Sequence, residues 1–363
     1  MTSSTATFPG RIDYFHNTKA DAKRAYGTKR QEMLSVSKGK QALDTISSWP
    51  KYQVTDLHEL RDMAEQANVG QIYYKDESKR FDLKSFKALG GAYAVTRFLQ
   101  QHLEELTGEQ PTMAQLLSGQ YKEQLKDVVV SCATDGNHGR SVAWGSQMFG
   151  CQCIIYIHRD VSAGRQTAME AYAAKVIRIT GNYDESVRQA AVDAALHGRV
   201  IISDTSYEGY TEVPANVALG YTVMLSETVE QLNGVIPTHV FIQAGVGGLA
   251  AAVCGYFWDL WAEQRPRFVV VEPEAANCLQ ESAKAGKLQA VEGDLDTLMA
   301  GLACGKTSPL AWRFLQNSVD YFMLISDTQA VNAMKTLAVG NDRDIPIIAG
   351  ESGAAGVAAL LAL

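Results

Sequence analysis

The sequence predicts an α/β protein built on parallel sheets with helices on both faces. Two observations predict it. From about residue 70 onward, short β-branched runs alternate with Ala-rich segments of helix length. Two of those runs also pass into glycine-bearing loops before the next helix-length segment begins. Alternation of this kind buries each strand beneath crossover helices and so gives a parallel sheet. Ligands then belong at the carboxyl ends of the strands.

The first 70 residues are mixed and weakly patterned, with helix-like character over 56–66. They are expected to be covering structure and to offer dimer contacts. The strands are expected at VVVSC (128–132), CIIYI (153–157), KVIRI (175–179), RVIIS (199–203), HVFIQA (239–244) and RFVVVE (267–272). Helices are expected between them at 140–148, 183–196, 214–231 and 249–263. The polar stretch 107–127 reads as helix and loop. No repeat or low-complexity linker marks a boundary, and the pattern points to two intertwined lobes, the strand group at 128–203 forming the smaller.

Composition narrows the function. The chain has 363 residues, 46% of them hydrophobic and 20% charged, enough for a large buried core. A net charge of −7 without a long basic cluster gives no electrostatic support for nucleic acid, so the expected partner is a small molecule. No apolar run approaches the roughly 18 to 20 residues of a membrane span, and the opening MTSSTATFPG has no apolar signal core. A cytoplasmic address without membrane contact is expected. Six cysteines lack CxxC pairs or matching histidine spacing, so neither a metal site nor a secreted disulfide framework is expected, and buried free thiols are.

Three segments carry chemistry. Ser85-Phe86-Lys87-Ala88-Leu89-Gly90-Gly91 opens an Ala-rich helix with Ser85 as its N-cap. A lysine at a helix start sits by the positive end of the dipole, which favours a neutral, nucleophilic amine suited to a Schiff base. Taken alone, it reads as a surface lysine. Next, VVVSC runs into Ala133-Thr134-Asp135-Gly136-Asn137-His138-Gly139. Such a loop converges backbone N–H groups on a carboxylate, for which Thr134, Gly136 and His138 are the candidates, while Asn137 is placed to donate to a phenolic or carbonyl oxygen. Alone it reads equally as a tight turn. Finally, HVFIQA leads into Gly245, Val246, Gly247, Gly248 and Leu249. Glycines there let the backbone wrap a phosphate at a helix N-terminus. The rival is a dinucleotide loop, but the spacing is GxGG and not GxGxxG.

A cofactor with an aldehyde, a ring oxygen and a phosphate needs all three segments together. SFKALGGAYA, TDGNHG, SDTSYEGY, QAGVGGLAAAV, VEPEAANCLQES and AGESGAAG resemble, in order, the segments of the diaminopropionate ammonia-lyase family. That family lies within the two-lobed, tryptophan synthase β-like enzymes of fold-type II, which use pyridoxal 5'-phosphate (PLP). The resemblance runs from about Tyr73 to the last residue. It implies a discontinuous large PLP-binding domain at 1–89 and 206–363, a small domain at 90–205, and a homodimer. It further implies that Lys87 forms the internal aldimine and handles the Cα proton, that Asn137 contacts the phenolic oxygen, and that Gly245, Val246, Gly247, Gly248 and Leu249 hold the phosphate. Acid–base roles fall to Asp135 and Asp204. The implied reaction is elimination of ammonia from 2,3-diaminopropionate, giving pyruvate and two ammonia.

One departure accompanies the resemblance. The family continues beyond GESG through a helix into a final strand, whereas this sequence stops at GVAALLAL. An exposed sheet edge and reduced activity are therefore expected. The rivals are a serine or threonine dehydratase of the same fold, an inactive relative that binds without turnover, and a nucleotide-binding dehydrogenase. Asp135 and Asp204 favour a diamine over a hydroxy amino acid.

Overall fold

The computed structural model describes residues 13–363. Among them, ten strands run in chain order: β1 (Asp13–His16), β2 (Leu57–Glu59), β3 (Tyr73–Lys75), β4 (Val129–Ala133), β5 (Gln152–Ile157), β6 (Lys175–Arg178), β7 (Val200–Ile201), β8 (His239–Gln243), β9 (Arg267–Pro273) and β10 (Val319–Ile325). The chain divides into two compact units, one of residues up to 36 with 55–78 and 224–363, the other of 37–54 and 79–223.

The first unit holds a four-stranded sheet in the order β1-β10-β9-β8. β8, β9 and β10 run parallel, and β1 joins antiparallel at one edge. Six of the seven residues of β9 are buried, which is why FVVVE reads as one apolar run with a single acid. Val269, Val271, Met323 and Ile325 build the core on one face with Leu337, Ala354 and Ala358 from the helices Asp327–Val339 and Ala355–Leu361 and the turn before the latter. β2 and β3 form a separate antiparallel ribbon. The segment read as helix-like over 56–66 is corrected by this: β2 comes first, and a short helix follows at Arg61–Gln66.

The acid inside β9, Glu272, is fully buried. Its two oxygens accept the Leu279 and Gln280 N–H groups, each at 2.8 Å, closing the N-terminus of helix Cys278–Ala285. Burial outweighs these bonds and pushes the carboxyl up to about 8. The unfolded chain ionises near 4.5. Between those values the folded state binds the extra proton, so stability falls as pH rises from about 5 to about 8. Glu272→Gln is expected to flatten that slope in urea titrations at the two pH values, at a cost of about 1 kcal/mol for the weakened cap.

The second unit holds a fully parallel sheet in the order β6-β5-β4-β7. Helix Lys87–Thr107 buries a stripe of Leu89, Ala92, Val95, Leu99 and Leu103, and ends at Gly108, whose φ of 81° suits a left-handed cap. It lies tightly on helix Asn137–Phe149, because a Cβ at Gly145 would stand 2.8 Å from the Ala92 Cα. Ser141 Oγ joins the two helices, accepting from the Ala92 N–H at 3.0 Å and donating to the Ala88 carbonyl at 3.2 Å. These contacts fix the first turn of the helix that begins at Lys87 relative to the helix that begins at Asn137. β7 is shorter than the predicted 199–203, since the chain leaves the sheet before Ser203.

Candidate active site

Within the second unit, three chain segments converge on Lys87, the first residue of helix Lys87–Thr107. The expected Ser85 cap is corrected by one position: Phe86 stands at the N-cap, and Ser85 Oγ, just outside the helix, accepts the Lys87 N–H at 3.2 Å. The neighbouring Lys84 is exposed and sits in the left-handed region at φ 54°, whereas Lys87 is half-buried. Lys87 Nζ donates to Asp204 Oδ2 at 2.5 Å. Asp204 lies three residues past β7. The Tyr210 hydroxyl holds that bend by accepting the Ser203 N–H at 3.0 Å and donating to the Ile201 carbonyl at 2.7 Å. Burial raises the Asp204 carboxyl, yet the Lys87 charge, the His138 ring and the Lys87 hydrogen bond outweigh it, and the group stays well below the usual carboxylate range.

The loop after β4 supplies the second group. Thr134 is buried, and its Oγ1 accepts the N–H groups of Gly136 at 3.1 Å and Gly139 at 3.2 Å, so the hydroxyl shapes the loop. Asn137 opens the helix and is exposed. His138 is buried, with Nε2 2.8 Å from the Ile202 carbonyl and Nδ1 3.9 Å from Asp204 Oδ2. Bonding to a carbonyl makes Nε2 the donor and leaves Nδ1 as a bare acceptor. Burial holds this ring below its usual range, against the pull of Asp204. Asp135 is half-buried, and burial raises its carboxyl above the ordinary range, opposed by His158 and by Arg165.

The structure brings Lys87, Asp204 and His138 together directly. Asp135 is set apart from that trio against His158, and the Thr134 hydroxyl accepts the Gly136 and Gly139 N–H groups within the loop. Two residues escaped the sequence reading, His158 and Tyr221, and Tyr210 stood within SDTSYEGY without a role. Tyr221 is fully buried, its hydroxyl has no partner, and its ring stands edge-on to Phe86 at 5.0 Å. His158 had a signal, because it directly follows the carboxyl end of a predicted strand.

In the first unit, β8 passes through Ala244, Gly245, Val246 and Gly247 into helix Gly248–Trp261, with Leu249 in its first turn. Gly247 has φ 99°, which disfavours any side chain, and a Cβ there would meet Leu315 at 3.0 Å. A Cβ at Gly245 would stand 2.9 Å from Cys304 Sγ and 3.0 Å from the Gly301 carbonyl. The Val246 carbonyl accepts the Ser308 N–H at 2.9 Å, which pins the loop. The open N–H groups at this helix start form an anion receptor. Ser352 Oγ, buried without a partner, is a further polar atom in the same unit. In the second unit a helix-borne amine and the unpartnered Tyr221 hydroxyl, and in the first a glycine-rich helix start and the buried Ser352 hydroxyl, are each of the kind that a phosphorylated aldehyde requires.

These features define a PLP-dependent enzyme of fold-type II, and residues 49–363 match the family described as "Pyridoxal-phosphate dependent enzyme", to which the chain belongs. Its cofactor is pyridoxal 5'-phosphate. Among its relatives, diaminopropionate ammonia-lyase of Salmonella typhimurium is 38% identical over 359 residues, covering 97% of this chain and 88% of that protein. A crystal structure of diaminopropionate ammonia lyase from Escherichia coli, in complex with an aminoacrylate-PLP azomethine reaction intermediate, superposes with a TM-score of 0.87 at 35% identity, covering 98% of this chain and 88% of that one. Threonine deaminase isoform 2 of Solanum lycopersicum shares the fold, with a TM-score of 0.72 at 21% identity over 96% of this chain and 88% of its own.

Proposed function

We propose that this chain catalyses the PLP-dependent α,β-elimination of 2,3-diaminopropionate, consuming one water and giving pyruvate and two ammonia. The observation that carries the reading is the placement of two carboxylates, with Asp204 on the Lys87 amine and Asp135 held separately against His158. The 38% identity to diaminopropionate ammonia-lyase supports it.

Lys87 is the residue that holds the cofactor, and the N–H groups from Gly245 to Leu249 receive its phosphate. Asn137 donates to the ring oxygen. Once bound, PLP supplies an electron sink that makes the substrate Cα proton acidic. Lys87 Nζ takes that proton, and Asp204, kept ionised, orients the resulting ammonium. The loop around Thr134, Gly136 and His138 binds the substrate carboxylate. Asp135 pairs with the β-ammonium, and its raised carboxyl suits it to give and take a proton there. The released enamine takes up water to give pyruvate and the second ammonia. A hydroxy amino acid offers no cation to Asp135, so this half-buried carboxylate gains nothing from its binding. The large domain at 1–89 and 206–363, the small domain at 90–205, a homodimeric assembly and a cytoplasmic address complete the reading.

The test supplies PLP-loaded protein with diaminopropionate, serine or threonine and follows keto acid and ammonia. Pyruvate and ammonia at one to two from diaminopropionate, faster than from serine, is expected. Faster turnover of serine or threonine would assign the chain to the dehydratases instead.

A further inference from the structure

We propose that His158 is a positioning residue that presents an Nε2–H to Asp135 and so sets the orientation and charge of that carboxylate. The inference rests on the reading that Asp135 acts on the substrate, and it adds a residue that no spacing or motif had marked.

The two residues leave neighbouring parallel strands. β4 and β5 pair with Ala133 opposite Tyr156, so the residues following each strand emerge side by side. His158 Nε2 reaches 2.9 Å from Asp135 Oδ1. That oxygen is shut off from solvent and has no aligned hydrogen bond, so the imidazole is the donor at hand to satisfy it, by a small rotation of the ring. The ring's tautomer is prepared from its other side. The Asp160 N–H points at His158 Nδ1 at 3.3 Å, which makes Nδ1 the acceptor and leaves the proton on Nε2. The loop that carries the ring is itself clamped. Arg178, on β6, donates through Nη1 to the carbonyls of His158 at 3.2 Å, Arg159 at 2.8 Å and Val161 at 2.7 Å, and through Nη2 to Gln166 at 2.9 Å.

Other charged groups face this pair. The Asp160 carboxylate lies 3.6 Å from His158 Nδ1. Arg165 donates to the Asp135 carbonyl at 3.3 Å. Asp204 acts on Asp135 from across the loop and Arg165 acts on its charge. Asp204 and burial favour the protonated acid, whereas His158 and Arg165 favour the carboxylate, so removing the imidazole shifts the balance toward the acid.

The experiment compares His158→Leu, which keeps bulk but no donor, with His158→Gln, which keeps an N–H donor, in the PLP-loaded enzyme. The leucine variant is expected to lose about tenfold in kcat/KM. The acid limb of its pH profile is expected to move up by about one unit, because a lost donor leaves the carboxylate easier to protonate. The glutamine variant is expected to stay within about threefold with the limb in place, and the cofactor's visible absorption to be the same in all. Independently of turnover, the His158 Nε2–H proton resonance is expected in the native enzyme and to move upfield in Asp135→Ala. An unmoved acid limb in His158→Leu, or equal damage in both His158 variants, overturns the positioning role. Full activity in Asp135→Ala overturns the underlying reading of Asp135 instead, so the two failures are separable.

Discussion

Lys87→Ala is expected to abolish turnover, with a loss on the order of 10^4-fold or more, the upper range for a positioned proton-transfer group. The substitution removes at once the covalent attachment point of the cofactor and the base for the substrate Cα proton. It also leaves Asp204 with no cationic partner on the helix. That carboxylate is largely buried, its side chain 18% exposed beside a lysine at 26%, so about 1 to 3 kcal/mol of stability is expected to go with it. Lys87→Arg separates the two effects. Its guanidinium keeps the charge for Asp204 and restores stability, but it cannot form the cofactor link, so turnover stays lost. Rate measurements and urea unfolding on the two variants check this. Native-like turnover in Lys87→Ala would transfer the chemistry elsewhere.

Asp204→Asn is expected to lower kcat by about 10^2- to 10^3-fold while leaving the cofactor bound. Lys87 then lacks the carboxylate that fixes its amine at 2.5 Å, and the Tyr210 hydrogen bonds, which hold the backbone alone, do not replace it. The stability effect carries a pH signature. Asp204 is depressed in the folded state, so its contribution is complete above the unfolded value of 3.8 and is lost as pH falls below it toward the lower folded value. The native chain should therefore be the more stable at pH 7, with the gap to Asp204→Asn closing on acidification below about pH 4. Equal stability at pH 7 would show that the ion pair contributes nothing.

Much of the fold was legible because its central strands are buried on both faces. Runs such as CIIYI and FVVVE announce themselves by continuous apolar character. The strands that escaped notice are of other kinds. β1, β2 and β3 have three or four residues, mix charge with aromatic rings, and lie at an edge or in a two-stranded ribbon, where burial imposes little pattern. β10, VDYFMLI, did carry an apolar run, broken at its start by Asp320, whose carboxylate bonds Arg265 and the Phe268 N–H. The site was legible in its motifs and opaque in its pairings. Lys87, the Asp135 loop and the GVGG loop each stand at a helix start, a local feature. The Lys87 to Asp204 contact spans 117 positions and depends on how β7 lies in its sheet, information that no window of sequence contains. His158 reaches Asp135 only because β4 and β5 are neighbours.

The Lys87 amine, and not the nearby Lys84, is the expected attachment point of the cofactor. Borohydride reduction of the PLP-loaded protein fixes the cofactor to its lysine, and peptide mass mapping then locates it. A phosphopyridoxyl mass on Lys87 alone is expected, and a label on Lys84 or spread over surface lysines would show that Lys87 does not hold the cofactor.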